Sequence, residues 1–238
     1  MRVGHGILGL TAALLLAPVG IGFAHGGGSM SGGGSTGASG GSRSSPEDAA
    51  KAAYNSGIRS IKKAQEYDSD AAKASSPEKS AKALDKARQN YSKALEQFID
   101  VVSQQPAMYQ AWNYMGFANR HLGNHDAALS AYAKALGLNP GYPDAIEYRG
   151  EAYLGLNKID DAKEAYMTLF RESRGLADEL MAAMRRWTDA RRKDAQGLTP
   201  QALEEFSNWL AERSGIAAQT ASLGTGARTG SAAQSGWK

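Results

Sequence analysis

The middle of the chain, from residue 46 to about residue 210, carries its apolar residues at helical spacing. Tyr54, Gly57, Ile58, Ile61 and Ala64 fall on one face of a first helix. Ser45-Pro46-Glu47-Asp48 predicts its start: a capping serine, a proline in the first turn and two early acids. This helix is expected to reach about Ala71. Ser76-Pro77-Glu78 opens a second, on which Leu84, Tyr91 and Phe98 recur every seven residues, with Arg88, Leu95 and Val102 interleaved, and which must end before Pro106. At 1.5 Å rise per residue each of these helices would be on the order of 40 Å long. They are expected to pair as an antiparallel hairpin.

Beyond Pro106 the pattern repeats. Residues 109–142 and 143–176 share ten identities at a spacing of 34. Ala111, Tyr114, Gly116, Ala118, Leu122, Asp126, Ala128, Ala131, Tyr132 and Gly141 recur as Ala145, Tyr148, Gly150, Ala152, Leu156, Asp160, Ala162, Ala165, Tyr166 and Gly175. Trp112, Met115 and Gly116 lie on one helix of the first unit, and Ala128, Tyr132, Ala135 and Pro140 follow at fixed offsets. Ile146, Gly150, Tyr153, Ala162, Tyr166 and Leu169 repeat the set. This period and these small residues resemble a tetratricopeptide repeat. Two positions depart from that pattern: Asn119 stands where an aromatic is usual and Arg174 where proline is usual.

The resemblance has a physical basis. Gly116, Gly150 and the alanines let paired helices approach closely, and Gly123-Asn124 supplies a tight turn between them. The register extends backward, because Ala94, Phe98 and Pro106 stand 34 residues before Ala128, Tyr132 and Pro140. Residues 46–106 therefore form a divergent unit with an elongated hairpin, Gly57 taking the close-contact role. Forward, residues 177–214 are expected to cap the stack. Ala177–Lys193 would supply another first helix, with Leu180, Ala183 and Trp187 inward, and Leu203, Phe206 and Leu210 share one face of a last helix. The fold class expected is all-α: a TPR-like right-handed superhelix of antiparallel helix pairs, with C-terminal capping helices.

In this family the first helices of successive units line a concave groove that receives a peptide or helix. The resemblance therefore implies a groove built from Gln110, Asn113, Tyr114, Phe117, Arg120 and His121, then Asp144, Glu147, Tyr148 and Glu151, then Arg185. The alternative is that these residues form an ordinary solvated helix face. Relatives that clamp a chaperone's C-terminal carboxylate use cations here. Asp144 and Tyr148 stand at two of those places, so a basic or mixed segment fits better than an acidic tail.

The ends of the chain change the picture of where this domain works. Arg2 followed by the apolar run Ile7 to Leu16, then Gly22 and Ala24, resembles a secretory signal over residues 1–24. An uncleaved N-terminal anchor is the alternative, and both place the domain outside the cytoplasm, periplasmic or secreted. Residues 25–45 are almost entirely Gly and Ser and predict a flexible linker. Residues 215–238 are rich in Ala, Gly, Ser, Thr and Gln, lack acids and predict a mostly disordered tail with a fraying helical start at Ile216 to Ala221.

The formal charge of +3 gives a misleading impression. Arg2, Arg43, Arg228 and Lys238 lie outside residues 46–214 and no acidic residue does, so the helical region is slightly acidic. No nucleic-acid partner is expected from such a body. The absence of cysteine excludes disulfides, thiolate nucleophiles and zinc–thiolate sites. His121 and His125 flank the Gly123-Asn124 turn and should not share a face, so no metal is expected there. Arg185, Arg186, Arg191, Arg192 and Lys193 form a basic cluster, but Asp189 and Asp194 interleave with it. No catalytic set stands in a credible context, and neither an enzymatic reaction nor a cofactor is expected. The function expected is a non-catalytic scaffold of the bacterial cell envelope that binds a protein or peptide partner, without membrane insertion after signal cleavage. The alternative is a structural scaffold that forms a homodimer through the long hairpin, on the heptad spacing of Leu84, Tyr91 and Phe98.

Overall fold

The computed structural model describes residues 45–229, which form eight helices. The proposed signal and the Gly/Ser stretch up to residue 44 lie outside the described residues. Helix α1 spans Pro46–Ala72 and α2 spans Pro77–Gln104, and they pack against each other along their length. The start of α1 has the chemistry its sequence demands. The Ser45 hydroxyl accepts from the Asp48 amide at 3.1 Å, and the Asp48 carboxylate accepts from the Ser45 amide in return. At the start of α2 the Ser76 hydroxyl accepts from the Lys79 amide at 3.3 Å.

Two equal hairpins follow. Helices α3 (Tyr109–His121) and α4 (His125–Leu138) make the first; α5 (Pro143–Gly155) and α6 (Ile159–Glu172) make the second. All four boundaries of one hairpin fall 34 residues before those of the other. The turns correspond too. The Asn124 amide donates to the Asn119 carbonyl and the Lys158 amide to the Tyr153 carbonyl, both at 2.9 Å. Such a wrap closes a helix end only with a left-handed residue in the turn. Gly123 fills that place with φ +83° in the first hairpin and Asn157 with φ 58° in the second. Asparagine tolerates that conformation better than other residues with a side chain.

The core is built of small side chains between large rings. Ala111, Ala118, Ala128, Ala135, Ala145, Ala152 and Ala162 are fully buried, beside Tyr91, Phe98, Tyr132 and Tyr166. The glycines mark where rings press on backbone. A Cβ on Gly57 would lie 2.7 Å from the Phe98 ring, and one on Gly116 would lie 2.5 Å from the Tyr132 ring. Gly150 differs: its neighbours are Leu180, at 2.7 Å, and Ala165. Tyr166 is turned instead toward Trp209, edge to face at 5.5 Å. Gly116→Leu is expected to cost about 1–3 kcal/mol through overpacking against a ring that cannot give way. Gly137 has nothing within 4 Å of such a Cβ, so Gly137→Leu should leave thermal melting nearly unchanged. Equal melting of the two variants would refute the close-packing account.

Helices α7 (Arg174–Lys193) and α8 (Pro200–Thr229) close the stack. Leu203, Phe206 and Leu210 are buried as their spacing predicts, with Trp187 edge to face on Phe206 at 5.7 Å. The helical start expected at Ile216 to Ala221 belongs to α8, which runs further than the composition suggests, to Thr229. Beyond Gly215, Arg174 Nη2 donates to the Thr220 hydroxyl at 2.6 Å, a contact between α7 and α8 that composition does not reveal.

Candidate functional site

Helices α3, α5 and α7, the first members of successive pairs, line a common cavity of about 520 Å³. Phe117, Arg120 and His121 enter it from α3, and Glu147, Tyr148 and Glu151 from α5. Glu179, Ala182 and Arg186 enter it from α7, and Gln65 from α1. Six of the eleven residues singled out in the sequence therefore meet here.

Arg120 organises the cavity. Its Nη1 lies 2.6 Å from Glu151 Oε2, a contact between two repeats, with both side chains largely withdrawn from solvent. The guanidinium carbon sits 5.2 Å from the Phe117 ring centre and 5.6 Å from that of Tyr148, so two faces of π density cradle the cation. Burial opposes its charge most, but Glu151, Tyr132 and Glu147 together outweigh it and leave the Arg120 pKa raised.

Glu147 is the anomalous group. It is 3 % exposed, and its Oε2 has no hydrogen-bond partner. Burial pushes its pKa up to about 8; Glu151 adds to the rise, Arg120 opposes it, and Glu179 and Asp144 reinforce it. His121 is held neutral by the opposite logic. Burial and then the Arg120 charge lower it to about 3. Its ring stacks on Tyr91 at 4.3 Å, and the Tyr91 hydroxyl donates to Asp68 at 2.6 Å.

The other sequence candidates go elsewhere. Asn113 is 1 % exposed with an unpartnered Oδ1, an interior residue and not a surface one. Tyr114 stacks on Phe98 at 5.4 Å and meets Tyr54 edge to face, which ties α3 to the hairpin. Gln110 and Asp144 are half-buried and lie outside the cavity lining. Arg185 is a correction: it faces α8, where it donates to Ser214, and lines a separate cavity with Tyr166, Asp178 and Ala217. The lining positions Glu147 and Glu151 recur 35 residues on, at Ala182 and Arg186. The junction explains the slip. Ser173 both ends α6 and precedes α7, so the loop that separates α4 from α5 is missing, and α7 begins at Arg174.

No local pattern marks Gln65, Glu179 and Arg186 for this cavity, because their place depends on how α1 and α7 lie against the repeats. The basic cluster of α7 is dispersed among partners: Arg191 donates to Asn157 at 3.1 Å and Arg192 to Ser207 at 2.8 Å. His125 does not share the cavity with His121; its ring packs against Gly155. Among the described residues no three His, Asp or Glu side chains converge closely enough to hold a metal ion. None of the described helices is long and apolar enough to cross a membrane.

This architecture defines an all-α repeat protein assembled from helix hairpins, two of them equal in length, with its cavity on the first helices. Two models of the tetratricopeptide repeat match it, over residues 79–143 and 120–191. Residues 79–191 of the chain are therefore built of tetratricopeptide repeats, which supports a scaffold for protein–protein interaction. No curated protein matches it. Solved structures that resemble it include "Crystal structure of MamA", at 21% identity and a TM-score of 0.39, covering 73% of this chain and 95% of that one. "Crystal structure of MamA protein" aligns at 22% identity with a TM-score of 0.33, over 65% of this chain and all of that one.

Proposed function

We propose that this protein is an exported scaffold of the bacterial cell envelope that holds a segment of a partner protein in the groove formed by α3, α5 and α7. The observation that carries this is the shared cavity, where side chains from three successive first helices converge around Arg120. A merely solvated helix face would leave such residues dispersed in water. Export rests on the signal-like residues 1–24. The scaffold acts without catalysis or cofactor.

The test is a pull-down from envelope extract with the full chain. Glu179→Lys/Arg186→Glu reverses two exposed charges that line the cavity. Glu164→Lys reverses an exposed charge on α6, outside the lining. A partner recovered by the parent and by Glu164→Lys, and lost from the double variant, is the expected result. Equal recovery by all three removes the groove from the account.

The alternative, self-association through the long hairpin, is weakened by the position of its own motif. Tyr91 and Phe98 are buried inside the protomer, and only Leu84 of that heptad series is exposed. Light scattering of the full chain at micromolar concentration checks it, with a monomer as the expected outcome.

A further inference from the structure

The groove is not chemically neutral toward what enters it. Three carboxylates line the cavity, those of Glu147, Glu151 and Glu179, against the two cations Arg120 and Arg186. Arg120 is engaged with Glu151 at 2.6 Å. Glu147 is left 97 % buried with an unpartnered oxygen in the cavity wall. A buried carboxylate without a partner is energetically unfavourable and is stabilised by any hydrogen-bonding cation that reaches it.

We propose that this cavity is a subsite for one basic side chain of the partner segment, a lysine or arginine whose cationic head settles against Glu147 and Glu179 while its aliphatic stem lies along the half-buried Tyr148. The proposal rests on the groove reading above and deepens it. Long basic side chains combine an apolar stem with a charged tip, which matches an aromatic ring beside acidic groups. A divalent cation does not fit, since the carboxylates do not converge as metal ligands among the described residues. An acidic segment would bring a further negative charge beside Glu147.

Binding of this kind has a proton signature. Glu147 must ionise to pair with the cation, and burial holds its pKa near 8 in the free protein. The charged groups facing it are Arg120 from α3, Asp144 and Glu151 from α5, and Glu179 and Arg186 from α7, with His121 of α3 neutral. Capture of a basic side chain therefore releases a proton below about pH 8, and affinity rises with pH up to that point and levels off above it.

The experiment uses the full chain and four peptide sublibraries with random flanks and a fixed central residue: lysine, arginine, norleucine or glutamate. Retention of the lysine or arginine set over norleucine by roughly tenfold is expected, as for one charge-assisted hydrogen bond. The preferred set identifies the cation. Glu147→Gln should bring that ratio close to one, and Glu164→Gln should leave it intact. In the parent the ratio should grow between pH 6.5 and pH 8. Retention of peptides with no basic preference overturns the subsite and leaves the groove standing. Retention of no set overturns both.

Discussion

Arg120→Met is expected to destabilise the protein by about 3–5 kcal/mol, the range for removing one partner of a buried ion pair. Methionine preserves most of the stem, so the loss is not one of packing. It comes from the Glu151 carboxylate left behind. Glu151 loses a contact of 2.6 Å with only 18 % of its side chain exposed. The pair also joins the two repeats, so the damage should fall on the α3–α5 junction. Urea unfolding at pH 7.5 measures the effect. Adding Glu151→Gln to Arg120→Met should recover part of the loss, and adding Glu164→Gln should recover none. A loss below about 1 kcal/mol would place the pair among solvent-screened surface bridges, which are worth no more than that.

The parts of this fold legible in the sequence are those governed by local rules. The caps at Ser45 and Ser76, the turn at Gly123 and the 34-residue spacing act within one hairpin and repeat in the next. Gly57 was legible because Phe98 stands one period before Tyr132. What escaped depends on contacts between distant elements. Arg120 and Glu151 belong to different units, and nothing in either unit shows that the two side chains meet. Asn113 and Glu147 occupy equivalent repeat positions and look like solvated polar residues, yet both are interior. Arg185 was misplaced because the period of 34 slips by one where α6 runs directly into α7. The extent of α8 escaped because its Ala, Gly, Ser and Thr composition argues for disorder, while the contacts made at Ser214 and Thr220 come from α7.

The pH dependence of stability isolates Glu147. Its pKa in the folded protein, about 8, lies above the ordinary 4.5, so between these values the folded state keeps a proton that the unfolded state has released. Stability must then fall as pH rises through this window, by about 1.4 kcal/mol per pH unit at most and about 3–5 kcal/mol in all. His121 acts in the opposite sense: its depressed pKa makes stability fall as pH drops from 6.5 toward 3. The interval from pH 6.5 to pH 8 therefore belongs to the carboxyl, and the parent should lose about 2 kcal/mol across it. Glu147→Gln should unfold at a nearly constant urea midpoint over the same interval and be the more stable protein at pH 8. A parallel decline in both proteins would assign the slope to other groups and leave Glu147 an ordinary carboxylate. A buried acid that weakens its own domain as it ionises calls for a compensating cation. A bound basic side chain would supply it, so saturation with the preferred peptide should abolish the slope in the parent and change nothing in Glu147→Gln.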